Sequence, residues 1–138
     1  MKIHTKGIEM TFKVVGTILG FDTTKEVEIL EIDELFATMK DCDNENITFT
    51  LANPYALREY SFDVPTDVRV ILEMSETSKV SVYNIMVIRD PLETSTVNFI
   101  APIIVNHDNN KLAQVVLDQK KYPDFGMAET LKSFVEDK

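Results

Sequence analysis

The sequence predicts a mainly β chain, an antiparallel sandwich or pseudo-barrel with a few short helices, one of them at the C-terminus. Three observations carry that expectation. Apolar and polar residues alternate over several short runs. β-branched and aromatic residues fill those runs. Turn-forming pairs such as Asn53-Pro54 and Asp90-Pro91 separate them.

The elements follow in chain order. Residues 8–15 and 27–31 are the first candidate strands. Ile47, Phe49 and Leu51 alternate with Thr48 and Thr50, the pattern of a half-buried strand. Residues 60–64 alternate in the same way, with Tyr60, Phe62 and Val64 on one face. Residues 80–88 are rich in β-branched side chains, and two further strands flank the turn His107-Asp108-Asn109-Asn110. Thr66 is placed to cap a short helix with Val68, Ile71 and Leu72 on its inner face. Leu131, Phe134 and Val135 have helical spacing near the C-terminus. The stretch 32–40 is ambiguous: Ile32, Leu35, Phe36 and Met39 fit a helix, but the run is short and strands surround it.

With 138 residues, 44% of them hydrophobic, the chain suits a single domain, 1–138, with a core of its own. Cys42 is the single cysteine, so no internal disulfide forms, as expected in a reducing compartment. The opening residues carry no apolar signal region, and no apolar run approaches the roughly 20 residues of a membrane helix. A soluble cytoplasmic protein is expected.

The net charge is −9 and the pI about 4.6. Residues 22–45 hold nine carboxylates against Lys25 and Lys40, and so contribute −7 of the −9. Such a surface repels phosphates, which excludes a direct nucleic-acid binder. The acidity serves either solubility or the steering of a basic protein partner. In the second case Asp41, Asp43 and Glu45 sit on a hairpin tip and speed the encounter.

No catalytic constellation emerges, and a non-enzyme without cofactor or metal is expected. The glycines are too scattered for a phosphate loop. His4 and His107 have no ligand-spaced partners and read as solvated residues. The run Asp41-Cys42-Asp43-Asn44-Glu45 fails as a calcium loop, because Asn46 and Ala52 stand where a glycine and a bidentate glutamate are needed. Asn46-Ile47-Thr48 matches a glycosylation sequon, a short pattern that arises by chance.

The stretch 96–106, TVNFIAPIIVN, is the most strand-like in the chain, yet Asn98 and Pro102 interrupt it. Val97, Phe99, Ala101, Ile103 and Val105 share a face that reads as core. Asn98, Ile100, Pro102, Ile104 and Asn106 share the other, a mixed face either exposed or covered by a partner. Pro102 has no N–H for a ladder and belongs at an edge or a bulge. Asn98 either ties down a neighbouring loop or, with Pro102 and Asn106, lines a contact surface. Asn53 and Tyr55 leave the same choice open, with Tyr55 an interface anchor or a cover for the core.

Four motifs in order resemble the FliW family of flagellar assembly factors: Gly20-Phe21-Asp22, FTLANPY at 49–55, YSFDVP at 60–65, and STVNFIAPIIVN followed by AQVVLD and YPDF. The usual Phe-Pro-Glu-Gly before Gly20 is replaced by Val14-Val15-Gly16-Thr17, and the tail past Phe125 is longer than in most members. The resemblance implies a monomeric, β-rich, non-enzymatic protein. It would bind the RNA-binding translational repressor CsrA and also flagellin in a partner switch. Free flagellin captures the protein, CsrA is released, and flagellin synthesis falls. The resemblance also implies a strand at 36–40. Partner-binding residues in this reading are Asn53, Tyr55, Asn98, Pro102, Asn106 and Gln114. Without the resemblance, the chain reads as a β-barrel peptide- or ligand-binding module.

Overall fold

The computed structural model describes residues 9–135. The strands are β1 (Glu9–Val14), β2 (Glu26–Glu31), β3 (Phe36–Asp41), β4 (Thr48–Ala52), β5 (Val80–Val87), β6 (Thr96–Val97), β7 (Ile103–Asn106), β8 (Lys111–Gln114) and β9 (Glu129–Thr130). The helices are α1 (Thr66–Ile71) and α2 (Lys132–Val135), and a 3₁₀ turn spans Pro54–Ala56. Ile8, expected to open the first strand, lies outside the described residues.

The sheet runs β4-β3-β2-β1-β8-β7-β5-β6-β9, and a further β4–β5 pairing closes seven of its strands into a barrel. All pairs are antiparallel except β1 with β8. The mainly β expectation is met, in its barrel form. Closure removes sheet edges, which suits short strands that would otherwise leave backbone groups unpaired.

Alternation decides what fills the barrel. Phe12, Val14, Val27, Ile29, Ala37, Met39, Phe49, Leu51, Tyr83, Ile103, Val105 and Leu112 form one buried cluster, each an every-second residue of its strand. One end is plugged by Ile18, which is fully buried on a loop between Gly16 and Gly20. Both glycines have φ near +80° (82° and 85°), a region that side chains with a Cβ rarely enter. The other end, the mouth, is ringed by Met10, Glu31, Ser81 and His107.

The ambiguous 32–40 stretch resolves into a turn and a strand. Asp33 Oδ1 accepts from the Leu35 and Phe36 N–H groups at 2.9 and 2.7 Å, and the Ile32 N–H donates to the Phe36 carbonyl. This turn starts β3 at Phe36 and leaves Ile32 half exposed, so its helical spacing with Met39 is coincidental.

A second buried cluster covers the outer face of β5, β7 and β8. Met86, Ile104 and Ala113 from the strands meet Tyr60, Leu72, Val97, Phe99, Ile100, Leu117, Phe125 and Leu131. Segment 60–64, expected as a strand, has the predicted alternation of burial but joins no ladder. Side chains hold it instead: the Tyr60 hydroxyl donates to the Phe99 carbonyl at 2.5 Å, and the Asp63 N–H donates to the Tyr122 hydroxyl at 2.8 Å. Thr66 is the first residue of α1, not its cap; Pro65 precedes it, and no side chain caps the helix. Leu72 is buried as expected, whereas Ile71 faces outward.

The interrupted strand is now explained. β6 and β7 both pair with β5, through Val97↔Met86 and Ile103↔Tyr83, so the five residues 98–102 stand opposite only Asn84 and Ile85. They form a bulge whose backbone groups are met by other segments. The Asn98 N–H donates to the Ile85 carbonyl, and the Phe99 N–H to that of Gly126. The Ile100 and Pro102 carbonyls accept from Leu117 and Val115 N–H groups at 2.8 and 2.9 Å. Pro102 therefore sits in a buried bulge, where a missing donor costs nothing, and not at an exposed edge. The mixed face is not exposed either: Ile100, Pro102, Ile104 and Asn106 are all buried, covered by the chain itself.

Candidate functional site

Most amides selected from the sequence prove to be joints of the fold. Asn106 has no exposed surface; its Nδ2 donates to the Leu72 carbonyl at 2.8 Å and its Oδ1 accepts from the Asp108 N–H at 3.0 Å. It fixes the end of α1 to the β7–β8 turn, so it is no surface for a partner. Gln114 donates to the Ala101 carbonyl at 3.2 Å and accepts from the Leu19 N–H at 2.8 Å, clamping the bulge to the plug loop. Asn53 caps the 3₁₀ turn by accepting from the Tyr55 N–H at 3.1 Å, and donates to the Glu34 carbonyl at 3.2 Å. Around Asn98 the tie is made by its neighbour: Asn84 Nδ2 donates to the Asn98 carbonyl at 2.8 Å. The side-chain oxygens of Asn84 and Asn98 are buried without a hydrogen-bond partner among the described residues. The Asn98 side-chain oxygen therefore ties down no neighbouring loop among the described residues. Of this group only Tyr55 is open, at 56% exposure, with its ring edge-on to Tyr60.

The acidic stretch divides between the two ends of the barrel. Glu31, Asp33 and Glu34 lie at the mouth, and Asp43 and Glu45 on the β3–β4 hairpin tip at the plugged end. Six-residue strands at about 3.3 Å per residue put these groups roughly 17–20 Å apart, beyond one Debye length. Asp41, expected on the exposed tip, is only 3% exposed. Strand alternation turns it inward, where Oδ2 accepts from the Thr24 hydroxyl and Oδ1 from the Asp43 N–H, both at 2.8 Å. It builds the tip; Asp43 and Glu45 are the charges displayed.

Two clefts meet at the mouth. One, of about 420 Å³, runs between Glu31, Phe36, Asn53, Tyr55 and Val82; the other, of about 350 Å³, is lined by Met10, Phe12, Ile29 and His107. Glu31, Ser81 and Tyr83 belong to both. The Tyr83 hydroxyl donates to Glu31 Oε2 at 3.1 Å. Burial, together with the adjacent carboxylate, drives the Tyr83 phenol pKa far above its ordinary value. His107 is half-buried, with Nε2 2.7 Å from the Ser81 hydroxyl and its ring edge-on to Phe12. Burial lowers its pKa, although Glu31 and Asp108 oppose the shift. Read from the sequence as a solvated turn residue, His107 is instead part of the mouth. The only signal that could have found it is the inward parity of Ser81 and Tyr83, which aims that strand's polar groups at the barrel end.

Arg58 was also missed. Its guanidinium lies 5.1 Å from the ring centres of both Phe99 and Phe125, and it pairs with Glu129 and the Asp124 carbonyl. Glu129 in turn accepts from the Gly126 N–H at 2.6 Å. This arrangement pins the C-terminal segment over the outer cluster. No group of His, Cys, Asp and Glu among the described residues is arranged to hold a metal ion, and no described helix is long and apolar enough to cross a membrane.

Comparison with known proteins matches this architecture. The family model "FliW protein" matches residues 1–124. Two relatives from Wolinella succinogenes, flagellar assembly factors FliW 1 and FliW 2, are each 45% identical to this chain. The first aligns over 93% of this chain and 100% of its own length, the second over 91% and 92%. A crystal structure of the flagellar assembly factor FliW superposes with a TM-score of 0.80, covering 95% of this chain and 89% of that one at 23% identity, and so shares the fold. Matched by the family model from residue 1 to 124 and by relatives at 45% identity along most of both chains, the protein belongs to the FliW family.

Proposed function

We propose that this chain is a flagellar assembly factor, acting as a cytoplasmic monomer that binds the repressor CsrA and flagellin in turn and so couples flagellin translation to flagellin supply. One observation carries the proposal: relatives that bear the name flagellar assembly factor align with it at 45% identity over nearly their whole length. The surface chemistry supports it. An RNA-binding repressor carries positive charge, and the exposed carboxylates at both barrel ends favour its approach. The buried amides of 98–106 serve the fold, so recognition falls to the mouth end, around Glu31, Glu34 and Tyr55, while Asp43 and Glu45 steer only partners that approach the plugged end.

Surface plasmon resonance against immobilised CsrA tests the reading. The chain binds, and added flagellin removes it from the surface. Absence of binding to both proteins overturns the assignment. A second reading, a module for a small ligand or peptide, draws on the paired clefts and is compatible with the first.

A further inference from the structure

The paired clefts at the barrel mouth combine three features: apolar and aromatic walls, carboxylates along one side, and no lysine or arginine among the described residues that line them. Phe12, Ile29, Phe36 and Tyr83 supply the walls. Glu31 stands where the clefts join, oriented by the Tyr83 hydroxyl at 3.1 Å. Among the described residues, no cation pairs with Glu31 or Glu34, whereas Glu28, Glu73 and Glu129 each have one. His107 supplies no compensating charge, since its burial favours the neutral ring.

We infer that the joined clefts bind an organic cation on an apolar stem, a guanidinium or primary ammonium group whose alkyl chain lies along the aromatic wall and whose head meets Glu31. The cavity size suits such a group, as small-ligand sites are clefts of about 300–1,000 Å³ with apolar walls and few polar anchors. An alkyl stem covers apolar surface while its charged head reaches a carboxylate, and aromatic faces attract cations further. A carboxylate already held by a neutral donor needs little reorganisation to accept a charge-assisted bond. The inference does not rest on the CsrA reading: the cation is either a free amine or a side chain presented by a peptide, and the site chemistry is the same.

The test uses the full chain and amide resonances in ¹⁵N-correlated spectra. The probes are agmatine, a blocked Leu-Arg-Leu peptide and the neutral analogue N-butylacetamide. Agmatine or the peptide moves the Glu31, Ser81 and Tyr83 signals saturably, and the neutral analogue does not. Glu31→Gln weakens the binding about tenfold or more, the loss of one charge-assisted contact. Glu34→Gln weakens it less. Both side chains are exposed, so both variants fold. Binding of agmatine assigns a free organic cation, and binding of the peptide alone assigns a presented side chain; either upholds the site. The inference is overturned if neither cation moves these signals, if the neutral analogue binds equally, or if E31Q binds as the parent does.

Discussion

The barrel interior and the outer cluster bury similar kinds of side chain by different means. Inside, each strand contributes every second residue, and the strands pair their backbone groups along the closed ladder. Outside, irregular segments cover the sheet: the 60–64 run, the 98–102 bulge and the C-terminal segment. Their backbone groups must be met one at a time, by Tyr60, Asn84, Gln114 and Tyr122. The difference teaches that Asn84, Asn106 and Gln114 tie the ladder to the irregular half. They occur where ladder hydrogen bonding ends, so their presence in a strand-like run marks structural repair and not a recognition surface.

The sharpest way to break the comparison is Phe99→Ala. Phe99 is fully buried and touches Tyr60, Phe134 and Arg58. Its loss costs about 3–5 kcal/mol in urea unfolding. A cost below about 1 kcal/mol would show that the outer cluster is a loose cover and not a second core.

Arg58→Ala separates the two regions more gently. It removes a pair whose side chains are only 20% and 26% exposed, along with the stacking on Phe99 and Phe125. About 2 kcal/mol is expected. Hydrogen exchange should quicken at 126–135 while β1–β4 keep their protection. Uniform quickening would show that the two clusters unfold as one unit.

The hairpin tip offers a contrast within three residues. Asp41→Asn disturbs one buried and one part-buried hydrogen bond and should cost about 1–3 kcal/mol, whereas Asp43→Asn should stay within about 0.5 kcal/mol. Equal thermal shifts would mean that Asp41 is as free as its neighbour.

At the mouth, His107 links stability to pH. Its pKa is lower folded than unfolded, so below the ordinary imidazole value near 6.5 the unfolded chain binds more protons. Stability contributed by the neutral ring is present above that value and is lost as pH falls through it towards the folded pKa. His107→Gln should remove that component from the pH profile of urea midpoints between about 7 and 5. An unchanged profile would assign the dependence to carboxylates.

The barrel half was largely legible in the sequence, because period-two alternation has a direct physical meaning. Ile47, Phe49 and Leu51 were placed on a strand by that rule, although β4 starts only at Thr48, and the run from Val80 was placed on β5 by its β-branched side chains. The outer half was not. Tyr60, Phe62 and Val64 alternate because an extended chain lies on the second cluster, and alternation cannot tell this from a ladder. Asn98 and Pro102 announced an irregularity, and a bulge was one of two readings; which segments would cover it depended on contacts such as Phe99 to Gly126 that no local pattern encodes. The mouth escaped notice because Glu31, Ser81, Tyr83 and His107 are far apart in sequence and each is ordinary alone.

The central claim is that recognition uses the acidic mouth end and not the asparagine-bearing strand. Hydrogen–deuterium exchange of the chain with and without CsrA tests it most directly. The account predicts new protection at 31–37 and 53–57, with 97–106 already slow and unchanged. New protection confined to 98–106, with none at the mouth, would contradict it.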